Sequence, residues 1–201
     1  MFNPNHVLYG RIPGFGLSEL GHKMAKESAD SMADHPVTRL YASPLQRTQE
    51  SAAPWSAGFG MPITTDERLI EPWNDFEGTA GFGARVLRSP KFWPKLRNPF
   101  QPSWGEPYAQ IAERMLAVIE DAWKATESGE VTLVSHQLPI WTVHRRLAGE
   151  RLFHDPRKRR CALSSITTLV RDDSAPLGFA EVDYQDPAAA LQASAIDLGA
   201  V

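Results

Sequence analysis

The sequence has a single cysteine, Cys161. One cysteine closes no internal disulfide and builds no zinc cluster, so the expected setting is a reducing cytoplasm. No apolar run approaches the roughly 20 residues of a membrane span. Met1-Phe2-Asn3-Pro4-Asn5-His6 has neither the basic start nor the apolar stretch of a secretory leader. A strong excess of either charge is missing too. The net charge is −3 with the six histidines neutral, so no global field draws the chain to nucleic acid or to a membrane surface. Internal repeats are absent. What remains is ordinary for a globular domain: 201 residues, 42% hydrophobic and 22% charged, which favours one domain over residues 1–201 with a real core.

Helical and strand patterns alternate along the chain. Ser18 is a candidate N-cap for a helix running to about Ala33. Val37 to Ala42 reads as a short strand, and Ser43-Pro44 opens a second helix lasting to about Gly58. Pro62 to Thr65 reads as another short strand. Ile111, Met115, Val118, Ile119 and Ala122 mark a helix from Tyr108 to about Thr126. Val131 to Val134 is a buried-type strand ending at Ser135-His136-Gln137. A helix with Pro139 in its first turn follows, closing near Ala148-Gly149. Cys161 to Val170 and Gly178 to Val182 read as two further strands, and residues 186–201 as an alanine-rich C-terminal tail. This alternation predicts a three-layer α/β/α fold with a mostly parallel central sheet. Residues 72–107 break the periodicity. Five prolines and five aromatics fall between Ser89 and Tyr108, a composition that suits a lid-like insertion packed by its own rings.

Three residues stand where chemistry is expected. Arg47 lies in the first turns of the helix after the first strand, and His136 at the carboxyl end of the Val131 strand. Ligands of open α/β sheets bind beyond the carboxyl ends of strands. Helix N-termini there offer free N–H groups, and an arginine fork matches phosphate oxygens. Taken singly, each is more often a surface arginine or a hydrogen-bonded histidine. Two strand-to-helix junctions that agree weaken both ordinary readings. Glu71 opens the irregular segment, and a carboxyl of raised pKa beside a phosphate could protonate a leaving alkoxide.

Ser43-Pro44-Leu45-Gln46-Arg47-Thr48-Gln49-Glu50, Leu69-Ile70-Glu71 with Glu77-Gly78, and Ser135-His136, in that order, resemble the histidine phosphatase superfamily, the phosphoglycerate mutase-like proteins. Tyr9-Gly10-Arg11, Pro13-Gly14, Leu17-Ser18 and Gly21 resemble the segment that follows the family's catalytic loop. The resemblance spans about Asn3 to Ala148. It implies phosphatase-type phosphoryl transfer on a small phosphate ester through a phosphohistidine, with no metal and no cofactor. By the same resemblance, Arg47 and His136 hold phosphoryl oxygens, Glu71 is the acid and base, and Asn3 loosely matches a family asparagine at the phosphate site.

The sequence departs from the family in one place that matters. It contains no Arg-His-Gly, so the nucleophilic histidine and one phosphate-binding arginine are missing. His6 sits several residues past the expected position, and His22 is expected on a helix surface. In the family the strand before Arg-His-Gly lies inside the sheet. Without it the sheet is expected to keep two open edges with unpaired backbone groups. The expectation is therefore a chain whose start is misassigned, preceded in frame by an apolar strand ending in Arg-His-Gly. The alternatives are a non-catalytic phosphoryl-binding or scaffold protein, and a phosphoglycerate mutase-like enzyme. Gln137 stands where many members have glycine and is expected to narrow the pocket or meet substrate. The basic run Arg157-Lys158-Arg159-Arg160 has no interleaved aromatics, so it reads as a solvated loop rather than a nucleic-acid site.

Overall fold

Alternation along the first strand sets the layers. In β1 (Val37–Ala42), Leu40 and Ala42 are fully buried on one face, while Tyr41 between them points to the other. The computed structural model describes residues 7–79 and 105–192. On the Leu40 face lie α1 (Glu19–Asp30) and α2 (Gln46–Phe59), whose flanks supply Ala29, Met32, Ala52 and Trp55 to one core cluster. On the Tyr41 face lie α3 (Tyr108–Lys124) and α4 (Gln137–Leu147), which bring Ile111, Met115, Val118, Leu138 and Val143 to a second. The fold is thus three layers, helix on sheet on helix, with a core on each side.

The sheet is parallel where the family resemblance requires it. β1 pairs in parallel with β2 (Ile63–Thr65) on one side and with β3 (Glu130–Val134) on the other, in the order β2-β1-β3. β4 (Ile166–Arg171) and β5 (Phe179–Gln185) form a separate antiparallel pair. Among the described residues, β3 has no strand partner besides β1, and β4 none besides β5. The two sheets nevertheless share both cores. Val134 and Ile166 pack on the first cluster, and Leu133 and Leu169 on the second.

Several boundaries differ from the sequence reading. Ser18 does cap α1, accepting from Gly21 N–H at 3.1 Å, but the helix ends at Asp30 rather than near Ala33. Ser43 and Pro44 precede α2 instead of opening it, and Leu45 takes the cap position. The strand expected from Cys161 starts only at Ile166. Ser165 N–H bonds Ala162 O and Ser164 has a positive φ of 60°, so a turn occupies the first five positions. β5 runs on to Gln185, past the expected end at Val182. Of the tail, a short helix α5 (Ala189–Gln192) is described, and residues 193–201 lie outside the described residues. Of the lid-like insertion, residues 80–104 lie outside them as well. Its two ends meet in an antiparallel bridge between Asn74 and Gly105.

Candidate active site

The carboxyl ends of β1 and β3 lie side by side, joined by Ser43 N–H bonding Val134 O at 3.0 Å. Each strand turns there into a helix. Both helices, α2 after Leu45 and α4 after His136, begin without a side-chain cap, which leaves the N–H groups of Gln46, Arg47, Gln137 and Leu138 for an anion; Thr48 N–H already bonds Leu45 O, and Pro139 carries none. The junctions are tied across by the side chains of Ser43 and His136. Ser43 Oγ lies 2.8 Å from His136 Nε2, and both residues are buried. Ser135 bonds Leu69 O at 2.7 Å and so pins the segment leading into Glu71.

Glu71 completes this group. Its Oε2 lies 3.3 Å from His136 Nδ1, and its residue is 2% exposed. Oε1 is buried without a hydrogen-bond partner among the described residues. Burial raises the Glu71 pKa to about 7, against the pull of Arg47, Arg159, Arg114 and Arg11. Burial also pushes His136 well below the ordinary imidazole value, helped by Arg47, Arg114 and Arg11. Burial thus works against an ion pair at this contact, since it favours the protonated Glu71 carboxyl and the neutral His136 imidazole. A carboxyl poised near neutrality can give or take a proton.

Arg47 is buried at the same end of the sheet. Its guanidinium lies 5.1 Å from the centroid of the Tyr9 ring and donates to Gly10 O at 2.8 Å. Gly10 has φ +37°, and a Cβ there would come within 2.3 Å of Glu77 Oε1. Only glycine lets the chain pass this point and offer its carbonyl to Arg47. Glu77 serves the same loop, accepting from Arg11 N–H at 3.1 Å and Asn74 N–H at 3.3 Å.

The fold thus brings together Arg47, His136 and Glu71. Asn3 and His6 lie outside the described residues. His22 is on the exposed side of α1, 3.9 Å from Glu50. Gln137 Nε2 donates to Cys161 O at 2.8 Å and its Oε1 accepts from Arg159 Nη1 at 3.2 Å. The basic run also divides. Arg157 is exposed and pairs with Asp155, and Arg160 pairs with Glu181. Arg159 instead turns inward to Gln137 and to His154, whose Nε2 accepts from its Nε at 2.9 Å. Reading the run as wholly solvated was therefore wrong at this one position.

Sequence reasoning also missed a supporting ion cluster. Glu106 accepts from Arg114 Nε at 2.7 Å, from Arg114 Nη2 at 3.1 Å and from Arg11 Nη2 at 3.3 Å. The same two arginines bond the main-chain carbonyls of Glu71 and Arg68. Nothing in the local pattern of Tyr9-Gly10-Arg11 or of Glu106-Pro107 signals a pairing across 95 positions of sequence. No group of three or more His, Cys, Asp and Glu that could hold a metal occurs among the described residues. No helix among them is long and apolar enough to cross a membrane.

Known proteins resemble this chain in sequence and in fold. An uncharacterised Mycobacterium tuberculosis protein, Rv0525, is 48% identical over 188 residues, 93% of this chain and 92% of that protein. Phosphoserine phosphatase 1 of Hydrogenobacter thermophilus is 25% identical over 146 residues, 70% of this chain and 69% of the enzyme. The solved structure of Bacillus stearothermophilus YhfR superposes with a TM-score of 0.68 at 25% identity, over 85% of this chain and 86% of that one. Residues 2–177 match the family described as the histidine phosphatase superfamily, branch 1, and it is to this superfamily that the chain belongs.

Proposed function

We propose that this domain hydrolyses small phosphate esters through a phosphohistidine. The observation that carries the reading is a buried carboxyl held near neutrality, 3.3 Å from a neutral histidine, where two strand-to-helix junctions meet. Arg47 and His136 bind the phosphoryl oxygens, whose charge is what a preorganised site must stabilise. An imidazole attacks phosphorus and the bond to the alcohol oxygen breaks, with Glu71 delivering its proton to the leaving alkoxide. Water then attacks the phosphohistidine, and Glu71 takes the proton back. Splitting one displacement into two lowers each barrier. The phosphatase activity named for the Hydrogenobacter relative supports this reaction class.

The attacking imidazole belongs to an Arg-His-Gly segment, which these 201 residues do not contain. The chain as written is expected to show no turnover of an aryl phosphate above a buffer blank. With an in-frame strand and Arg-His-Gly supplied ahead of Met1, turnover is expected. In that chain Glu71→Gln should lower kcat about 10²–10⁴-fold on an ester with a poor leaving group. A change of less than about threefold would move the acid to another carboxylate, against the usual worth of a general acid. A rate in the unextended chain that vanished in His6→Ala would make His6 the nucleophile.

Phosphate binding tests the site independently. Arg47→Ala should weaken phosphate or vanadate by roughly 1.5–3 kcal/mol, the worth of a hydrogen bond to a charged group, as read by calorimetry. Equal affinity would remove Arg47 from the site. The absence of Arg-His-Gly also favours a second reading, a phosphoryl-binding protein without turnover. Binding with no turnover in the extended chain would select it.

A further inference from the structure

Ser43 is fully buried just past the carboxyl end of β1, and its main chain is fixed on both sides. Its N–H bonds Val134 O at 3.0 Å, and its carbonyl accepts from Thr48 Oγ1 at 3.0 Å and Gln49 Nε2 at 2.7 Å. Among the described residues the hydroxyl has two polar neighbours. Leu45 N–H faces it at 3.5 Å, and His136 Nε2 lies 2.8 Å away. A backbone N–H only donates, so the hydroxyl hydrogen has one acceptor to meet, the ring nitrogen. Turned any other way, it would be a buried donor left unsatisfied. Burial favours the neutral His136 ring. Nε2 therefore accepts from Ser43, and the ring carries its hydrogen on Nδ1. Nδ1 in turn lies 3.3 Å from Glu71 Oε2. That oxygen can receive Nδ1–H as a carboxylate or as the carbonyl of the acid, but two hydrogens cannot share the contact. When Glu71 is protonated, its hydrogen is thus left to Oε1, the buried oxygen without a partner among the described residues.

We propose that Ser43 is a positioning residue for proton transfer: its hydroxyl holds His136 in the Nδ1–H tautomer and so places the acid proton of Glu71 on Oε1. The role rests on the phosphoryl site proposed above. In the first displacement the bond from phosphorus to the ester oxygen breaks. The Oε1 proton moves to that oxygen, and the electron pair of the O–H bond stays on Glu71. In the second, the attacking water returns a proton to the carboxylate. With the opposite tautomer the Glu71 hydrogen would sit on Oε2, bonded to Nδ1 and withheld from the ester. Nδ1–H is also the one ring hydrogen that His136 can offer a phosphoryl oxygen while Ser43 occupies Nε2. Ser43 acts only through His136.

Nitrogen NMR of the histidine rings tests it on the full chain, with the His136 signals assigned by their loss in His136→Gln. At neutral pH wild type should show a protonated Nδ1 and a bare Nε2. Ser43→Ala should move the tautomer ratio toward Nε2–H by about fivefold, the factor that one neutral hydrogen bond sets. Ser43→Thr keeps a hydroxyl and should keep the wild-type tautomer. Thermal melting checks that each variant is folded. The Glu71 carboxyl, followed by carbon NMR, should titrate at higher pH in Ser43→Ala, because its O–H then donates to Nδ1 and the protonated form gains a bond. A protonated Nε2 on the neutral ring of wild type overturns the proposal, whether or not any variant folds. So does a tautomer ratio that Ser43→Ala leaves unchanged. Calorimetry with inorganic phosphate separates this inference from the reading beneath it. Phosphate binding with the wrong tautomer sinks the role of Ser43 and leaves the phosphoryl site standing. Failure of wild type to bind phosphate removes the site, and this inference with it.

Discussion

Two buried glutamates face the same pair of arginines and are treated in opposite ways. Glu106 takes three hydrogen bonds from Arg11 and Arg114. Glu71 feels both arginines electrostatically, yet the bond it receives from Arg11 goes to its main-chain carbonyl. Its carboxyl is left with one neutral histidine and one oxygen without a partner among the described residues. The difference teaches that nearby positive charge does not by itself keep a buried carboxyl ionised. Donors must reach its oxygens, and here they are committed to Glu106. Glu106 holds the loop, and Glu71 is left able to exchange a proton.

Removing the anchored acid should have the largest effect. Glu106→Ala strands two partly buried guanidiniums and is expected to cost on the order of 3 kcal/mol, the low end for breaking a buried pair because Arg11 is partly solvated. Urea denaturation measures it. A loss below about 1 kcal/mol, the range of exposed pairs, would mean that the cluster does not brace the loop.

The poised acid should show itself in pH dependence. The folded-state pKa of Glu71 is raised to about 7 from 4.5, so the folded state holds its proton more tightly than the unfolded chain. Its contribution is fully present below about pH 4.5 and is lost as pH rises through about 7. The fall amounts to roughly 3 kcal/mol at about 1.4 kcal/mol per pKa unit. His136, depressed by burial, acts in the other sense, destabilising the fold as pH drops below its unfolded value. The stability difference between wild type and Glu71→Gln isolates the first term. A difference that stays flat between pH 5 and 8, where linkage requires a slope, would show that Glu71 is ionised throughout.

Ser135→Ala should have the smallest effect. It removes one neutral bond to Leu69 O, worth about 1 kcal/mol. The pH profile set by Glu71 should survive, because its burial does not depend on that hydroxyl. A shifted profile would place Ser135 among the residues that position the acid.

Arg47, His136 and Glu71 were legible in the sequence because local order announces them. Two sit at strand-to-helix transitions readable from periodicity, and Glu71 follows a short motif. The layers were legible for the same reason, since Leu40 and Ala42 alternate with Tyr41. Arg159 was not legible. In sequence it is one of four adjacent cations, and nothing in that run announces that this one alone reaches Gln137 and His154. Arg11, Glu106 and Arg114 were illegible because their pairing is a tertiary contact without a local pattern. The side-chain partners of Gln137, Cys161 O and Arg159, lie 24 and 22 positions away in sequence and carry no local signal.

Gly10 offers a last consequence. A genetic screen for anion binding would flag this position as strongly as any ligand-touching residue, although Gly10 has no side chain to touch one. Any L-residue there must adopt φ +37° and displace Glu77, and the carbonyl that steadies Arg47 would move with it. Variants at position 10 would keep every charged group of the wild type and still score as losses of affinity. A second-site suppressor is expected at Glu77, where a shorter side chain makes room, rather than at Arg47 or His136.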